Sequence, residues 1–270
     1  MTMESRVFAP NCPMDEEEPT WYKFPRDAAY RKIVFPKFTR DEHPAKANMF
    51  LVQACVEYVS EVDDTVLDIM AGTGTLMVAS LIGRKVVLIE LEAKFQSLIQ
   101  RHMEDLAEYD AYAPSMVTLL PGDCNKILPI PGLADHVIFS PPYAGIFKKN
   151  TLDKFSAETL GDGIVNYSES PDNVSNLNEF LYHQKMRKIY KGVLDSIPSG
   201  GTLTIIIKDH MEAGERVYLG QRAYEDCIGL GFESYQWFKW RPPGSAYLAV
   251  HRSHGLEVVN DEDIIIMRKP

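Results

Sequence analysis

Four adjacent residues, Ser140-Pro141-Pro142-Tyr143, combine groups that could act on an amine attached to an aromatic ring. Such a nitrogen is a poor nucleophile, because its lone pair is delocalised into the ring. Acceptors for its protons let it become more tetrahedral. The Ser140 hydroxyl and the Pro141 carbonyl supply two. The prolines stiffen the loop, which limits the reorganisation needed at the moment of reaction. Tyr143 offers a face on which the ring can stack. Direct in-line transfer of a group to that nitrogen requires no covalent enzyme intermediate and no metal.

A second set of residues could hold the donor. Val66 to Thr75 reads as a short buried strand, a tight glycine turn and the first turn of a helix. Gly72 and Gly74 let the backbone approach a ligand without a Cβ in the way. A glycine pair also opens dinucleotide sites, so it does not discriminate by itself. Asp68 does, because a carboxylate four residues before Gly72 would repel a pyrophosphate and attract a sulfonium and an ammonium. That favours S-adenosylmethionine over a nicotinamide dinucleotide. Glu90 ends the next apolar run, where a carboxylate can accept from both ribose hydroxyls. Asp123 ends the third, where it can accept from an adenine amino group.

These residues need a scaffold that gathers strand ends at one edge. Strands are expected at 66–69, 85–90, 117–120, 136–139, 202–207, 234–240 and 263–267. Helices are expected from His43-Pro44 to about Ser60, from Leu76 to Gly83, around Phe95 to Leu106, from about Asn178 to Ile197, and over Tyr218 to Ile228. Such alternation predicts an α/β fold, a parallel sheet with helices on both faces. Residues 1–20, with Asp15-Glu16-Glu17-Glu18 and three prolines, read as a poorly ordered arm. Residues 21–42 mix aromatic, proline and basic residues and could form a lip over the site. The division expected is 1–42 as arm and substrate lip and 43–270 as catalytic domain. Within the latter, the polar stretch 144–178 is an insert that could touch nucleic acid.

The net charge of -10 sits badly with a nucleic-acid partner, which usually meets a basic footprint. The charge is uneven, however. Residues 21–50 are rich in Lys and Arg, Lys185, Arg187, Lys188 and Lys191 cluster without a nearby acid, and Lys239, Arg241 and Arg252 form a third group. The four cysteines are scattered with no CxxC pairing, which argues against a disulfide framework or a zinc site. With no apolar run of bilayer length and no apolar signal core, a cytoplasmic protein with no membrane partner is expected.

Over roughly residues 38–210 the ordered motifs resemble the class I methyltransferase superfamily. The family's cofactor motif matches Asp68 to Thr75, including Ala71, Gly72, Thr73 and Gly74. Its ribose acid matches Glu90, and its adenine acid matches Asp123 with Cys124 beside it. His43-Pro44-Ala45-Lys46 resembles a further motif that holds the methionine end, which implies cofactor contacts from His43, Ala45 and Lys46. Ser140 to Tyr143 resembles the (Asp/Asn/Ser)-Pro-Pro-(Tyr/Phe/Trp) signature of enzymes that methylate exocyclic amines of DNA bases. The resemblance implies a doubly wound, mostly parallel, Rossmann-like seven-stranded sheet with an antiparallel last strand. It also implies methyl transfer from S-adenosylmethionine to a flipped or unpaired DNA base. The Ser form is like that of the cytosine-N4 enzymes. Adenine N6, an RNA base and a catalytically silent partner subunit are the alternatives. Lys148, Lys149, Lys239 and Arg241 are the candidate nucleic-acid contacts. DNA, a second copy of the chain and a cognate restriction nuclease are the candidate partners.

Overall fold

Runs such as Lys85-Val-Val-Leu-Ile-Glu90 and Thr202-Leu-Thr-Ile-Ile-Ile207 are apolar at consecutive positions, so both faces of each strand must be covered. In the computed structural model they are. The structure describes residues 5–37, 46–142, 170, 172–212, 214–243, 253–255 and 257–270. The strands are β1 (Trp21–Tyr22), β2 (Thr65–Asp68), β3 (Lys85–Glu90), β4 (Val117–Pro121), β5 (His136–Phe139), β6 (Thr202–Ile207), β7 (His210–Glu212), β8 (Glu215–Val217), β9 (Glu233–Trp240) and β10 (Glu262–Arg268). The α-helices are α1 (Ala28–Val34), α2 (Met49–Val59), α3 (Ala93–Tyr109), α4 (Cys124–Ile127), α5 (Glu179–Ser196) and α6 (Leu219–Ile228).

The main sheet runs β1-β9-β10-β6-β5-β2-β3-β4. Only β10 runs against its neighbours, pairing antiparallel with β6 and β9. One face packs Val66, Leu88, Ile138, Ile206 and Ile264 beneath α2 and part of α3. The other packs Leu67, Ile89, Val137, Ile205 and Ile265 against α5 and α6. This is the doubly wound, mostly parallel sheet with an antiparallel last strand that the sequence predicts. It has eight strands and not seven, because β1 adds to the edge at β9.

That extra strand corrects the expectation of a loose N-terminal arm. Phe8 stacks on Phe238 at 4.3 Å and meets Tyr22 and Tyr58 edge-on at 4.9 and 5.6 Å. Lys239 Nζ and the Arg241 guanidinium lie 5.4 and 4.9 Å from the centre of the Trp21 ring. Arg241 pairs with Asp15 (3.3 Å) and Glu17 (2.8 Å), and Lys239 pairs with Asp261 (2.6 Å) and Asp263 (2.9 Å). These two cations hold the N-terminal segment to the sheet edge. Their charge is shared with carboxylates of the chain itself. Two of the α5 cations are likewise matched by acids from other elements, Arg187 by Asp226 at 3.1 Å and Lys185 by Asp123 at 3.6 Å.

Two local expectations change as well. The helix expected from His43 starts at Met49, because the Asn48 side chain accepts from the backbone N–H groups of Phe50 (2.9 Å) and Leu51 (3.2 Å). After the glycine turn the chain forms a 3-10 helix, Thr75–Ile82, between left-handed glycines at 74 and 83. Among the described residues, no helix is long and apolar enough to cross a membrane.

Candidate active site

From β2 the sheet grows one way through β3 and β4 and the other way through β5 and β6. Ligands of such sheets bind outside the carboxyl ends of the strands, at that reversal. A cavity of about 340 Å³ opens there. Gly122, Asp123 and Cys124 form one end, beyond β4. Asp68, the glycine turn and Glu90 form the middle. Ser140, Pro141, Pro142, Ile206 and Glu262 form the other end, beyond β5, β6 and β10. The cavity therefore brings together Lys46, Asp68, Ala71, Gly72, Thr73, Thr75, Glu90, Asp123, Cys124, Ser140, Pro141 and Pro142. His43, Ala45, Tyr143, Lys148 and Lys149 lie outside the described residues, as does most of the 144–178 insert.

The middle of the cavity is built from backbone donors and under-compensated acids. Asp68 accepts a hydrogen bond from Met70 N–H at 2.9 Å. Burial pushes its carboxyl up to about 7, and nearby Glu90 adds to the rise. Glu90 accepts from Gly72 N–H (2.6 Å) and Glu92 N–H (2.7 Å), so it fastens the tip of β3 to the glycine turn. Burial outweighs those hydrogen bonds and pushes Glu90 also up to about 7. The Glu90 carbonyl accepts from Gly122 N–H at 2.8 Å, which adds the tip of β4 to the same network.

At the β4 end, Asp123 caps α4 by accepting from Asn125 N–H at 2.9 Å through Oδ1. Its Oδ2 is buried with no hydrogen-bond partner. Lys185 Nζ stands 3.6 Å from that oxygen, beyond hydrogen-bond reach, so the oxygen can still accept from a ligand amine. Burial pushes the neighbouring Cys124 thiol up to about 12, so it stays neutral.

The turn itself is tightly supported. Gly72 and Gly74 take φ of 53° and 74°, the left-handed region that suits glycine. Gly74 does not line the cavity. It sits beneath the turn, where an added Cβ would lie 2.8 Å from Met77 Cε and 3.1 Å from Ile99 Cγ1. We expect Gly74→Ala to lower stability by about 1–3 kcal/mol in urea unfolding, through the strained φ and the crowding together. The buried His102 bonds the Thr73 carbonyl through Nδ1 at 2.9 Å.

Sequence reasoning missed several residues in and behind the wall. Arg31, on α1, bonds Asp27 (2.7 Å), the Ala47 carbonyl (2.9 Å) and Thr75 Oγ1 (3.5 Å), so it ties the 46–48 wall to the glycine turn. Asn173 and Val174 return from the polar stretch to line the cavity, with Asn173 Nδ2 donating to Glu92 at 3.2 Å. Glu262 enters from β10. Only the location of Asn173 just before a capped turn, in Asn173-Val-Ser175, could have signalled order in that stretch.

Comparison with known proteins agrees with this geometry. Residues 9–101 match a family model described as DNA methylase. That span includes the glycine turn and Glu90 and stops before Asp123 and Ser140. No curated protein matches the chain in sequence. Among solved structures, the glycopeptide N-methyltransferase MtfA is 14% identical with a TM-score of 0.53, over 91% of this chain and all of its own. TrmN from Thermus thermophilus is 15% identical with a TM-score of 0.51, over 84% of this chain, which spans half of TrmN's length. The [4+2]-cyclase SpnF is 15% identical with a TM-score of 0.53, over 82% of this chain and 80% of its own. At such identities these likenesses show the fold, which is that of the class I methyltransferases. A cyclase among them means that the reaction must be argued from the site.

Proposed function

We propose that this chain, a class I methyltransferase by fold, binds S-adenosylmethionine and methylates the exocyclic amine of a DNA base, with cytosine N4 preferred. The observation that carries this is the single cavity in which Asp68, at the tip of β2, and Ser140-Pro141, at the tip of neighbouring β5, face the same space. One strand tip is suited to a cationic donor and the next to an amine acceptor. The match of residues 9–101 to the DNA methylase model supports DNA as the substrate.

The residues present fit the cofactor. Asp68 is a carboxylate held without a cation, and the methionine end carries a sulfonium and an ammonium. Glu90 keeps lone pairs for ribose hydroxyls, and Asp123 Oδ2 awaits the adenine amine. When bound, S-adenosylmethionine supplies an electrophilic methyl group. The protein's own part at the acceptor end is then electrostatic. The Ser140 hydroxyl and the Pro141 carbonyl accept from the amine N–H groups, and the two prolines hold those acceptors in place. A base must leave a duplex to reach them.

Incubation with tritiated S-adenosylmethionine and single-stranded DNA, double-stranded DNA or RNA, followed by digestion to nucleosides, tests the reading. Label in N4-methylcytosine of DNA is the expected result. Label in N6-methyladenine would change the base, and label in RNA alone would overturn DNA as substrate.

The pH dependence of cofactor affinity is a second check. Asp68 and Glu90 both titrate near 7, and a cationic ligand prefers them ionised. Calorimetry should therefore show the Kd for S-adenosylmethionine falling about tenfold or more from pH 6 to pH 8.

A further inference from the structure

Asp261, Glu262 and Asp263 stand in a row where β10 begins, and their surroundings differ sharply. Asp261 bonds Arg216 (2.8 Å) and Lys239 (2.6 Å). Asp263 bonds Lys239 (2.9 Å) and Trp237 Nε1 (2.8 Å). Glu262 lies on the opposite face by strand alternation, and its side chain makes no hydrogen bond or ion pair with any described residue and lines the cavity. An unpaired carboxyl in an apolar wall is costly, and such groups concentrate at functional sites.

Its place along the sheet is informative. The acids that fit the cofactor stand on β2, on β3 and just after β4, and Ser140 follows β5. Glu262 lies further on, with β6 between, so its backbone is two strand spacings or roughly 10 Å from that of β5. A ring with its amine at Ser140 spans that interval. Val52 of α2, Ile138 of β5 and Ile206 of β6 complete the wall without charge. Trp240 pairs with Glu262 across β9.

We propose that Glu262 binds the acceptor base, donating a hydrogen bond from its protonated carboxyl to the ring nitrogen beside the amine. This rests on the base-methylation reading above. On the Watson–Crick edge, cytosine and adenine both present a bare ring nitrogen next to the amine, whereas guanine presents N1–H on that edge and would meet the donor with a donor. Burial pushes Glu262 up to about 7, against the pull of Lys208 at the end of β6 and with Asp261 and Asp263 adding to the rise. Lys239, on β9, is held by those two acids, and Asp68 faces the cavity from β2. Glu262 is then a weaker acid than a protonated cytosine or adenine ring, so the proton stays on oxygen and the amine keeps its electron density.

The test is the KM for DNA at saturating S-adenosylmethionine, from pH 6 to pH 8.5, in the wild type, Glu262→Gln and Glu262→Leu. Single- and double-stranded mixed-sequence oligonucleotides are the probes. Wild-type KM should rise about tenfold across this range as Glu262 ionises. Glu262→Gln keeps a donor at every pH and should abolish that rise. Glu262→Leu should raise KM about 10- to 100-fold at all pH values while leaving the Kd for S-adenosylmethionine unchanged, which also certifies its fold. An alkaline rise that persists in Glu262→Gln, or an unchanged KM in Glu262→Leu, would overturn the assignment alone. A wild type that labels no nucleic acid would overturn the function from which it follows.

Discussion

Asp68→Asn should abolish S-adenosylmethionine binding and at the same time make the unliganded protein more stable. The two effects share one cause. Asp68 is held near neutrality because burial opposes its charge, and nothing in the described protein compensates it with a cation. Losing the charge removes the partner of a sulfonium and an ammonium, and affinity should fall about 100-fold or more. Asparagine keeps an oxygen to accept from Met70 N–H, so the turn retains that hydrogen bond.

The stability effect follows from linkage. The folded-state pKa of Asp68 is raised, so the folded protein binds more protons than the unfolded chain between about pH 4 and pH 7. The wild type therefore loses stability as pH rises through that window. A shift of this size sets an upper limit of roughly 4 kcal/mol. The gain in Asp68→Asn should be largest at pH 8 and vanish near pH 4. Urea unfolding of both proteins at the two pH values checks the sign. Equal stability at pH 8 would show that Asp68 is solvated or paired in solution. Retained calorimetric binding by the variant would remove it from the cofactor site.

The second large effect is expected at Ser140. Ser140→Ala should lower kcat about 10²- to 10³-fold, the usual consequence of deleting one preorganised hydrogen-bonding group that acts in the transition state. The Kd for S-adenosylmethionine should stay within about twofold, since Ser140 stands at the acceptor end. Single-turnover methyl transfer with labelled cofactor separates the two quantities. A kcat close to that of the wild type would leave Pro141 alone to polarise the amine. A matching loss of cofactor affinity would mean that Ser140 supports the donor and not the acceptor.

The sheet was legible in the sequence because parallel strands buried on both faces are written as uninterrupted apolar runs. Lys85–Glu90, His136–Phe139 and Thr202–Ile207 coincide with their expected bounds. The acids at strand ends were legible for the same reason, since each marks where such a run stops. Trp21–Tyr22 could not be read, because two residues carry no periodicity and their pairing with β9 is decided by tertiary contacts. The pairing of Arg241 could not be read, because Asp15 and Glu17 are remote along the chain yet adjacent in the fold. Glu262 was invisible for a different reason. Three acids in a row look alike until strand alternation sends the middle one into the cavity and its neighbours to cations.

The two-residue strand at the sheet margin also dictates an order of events. Its partner strand in the sheet is made roughly 200 residues later, so Trp21 and Tyr22 can join the sheet only once β9 has emerged. An early segment thus waits for a late one, and the cover over the ring of Phe8 is completed only when Phe238 stacks on it.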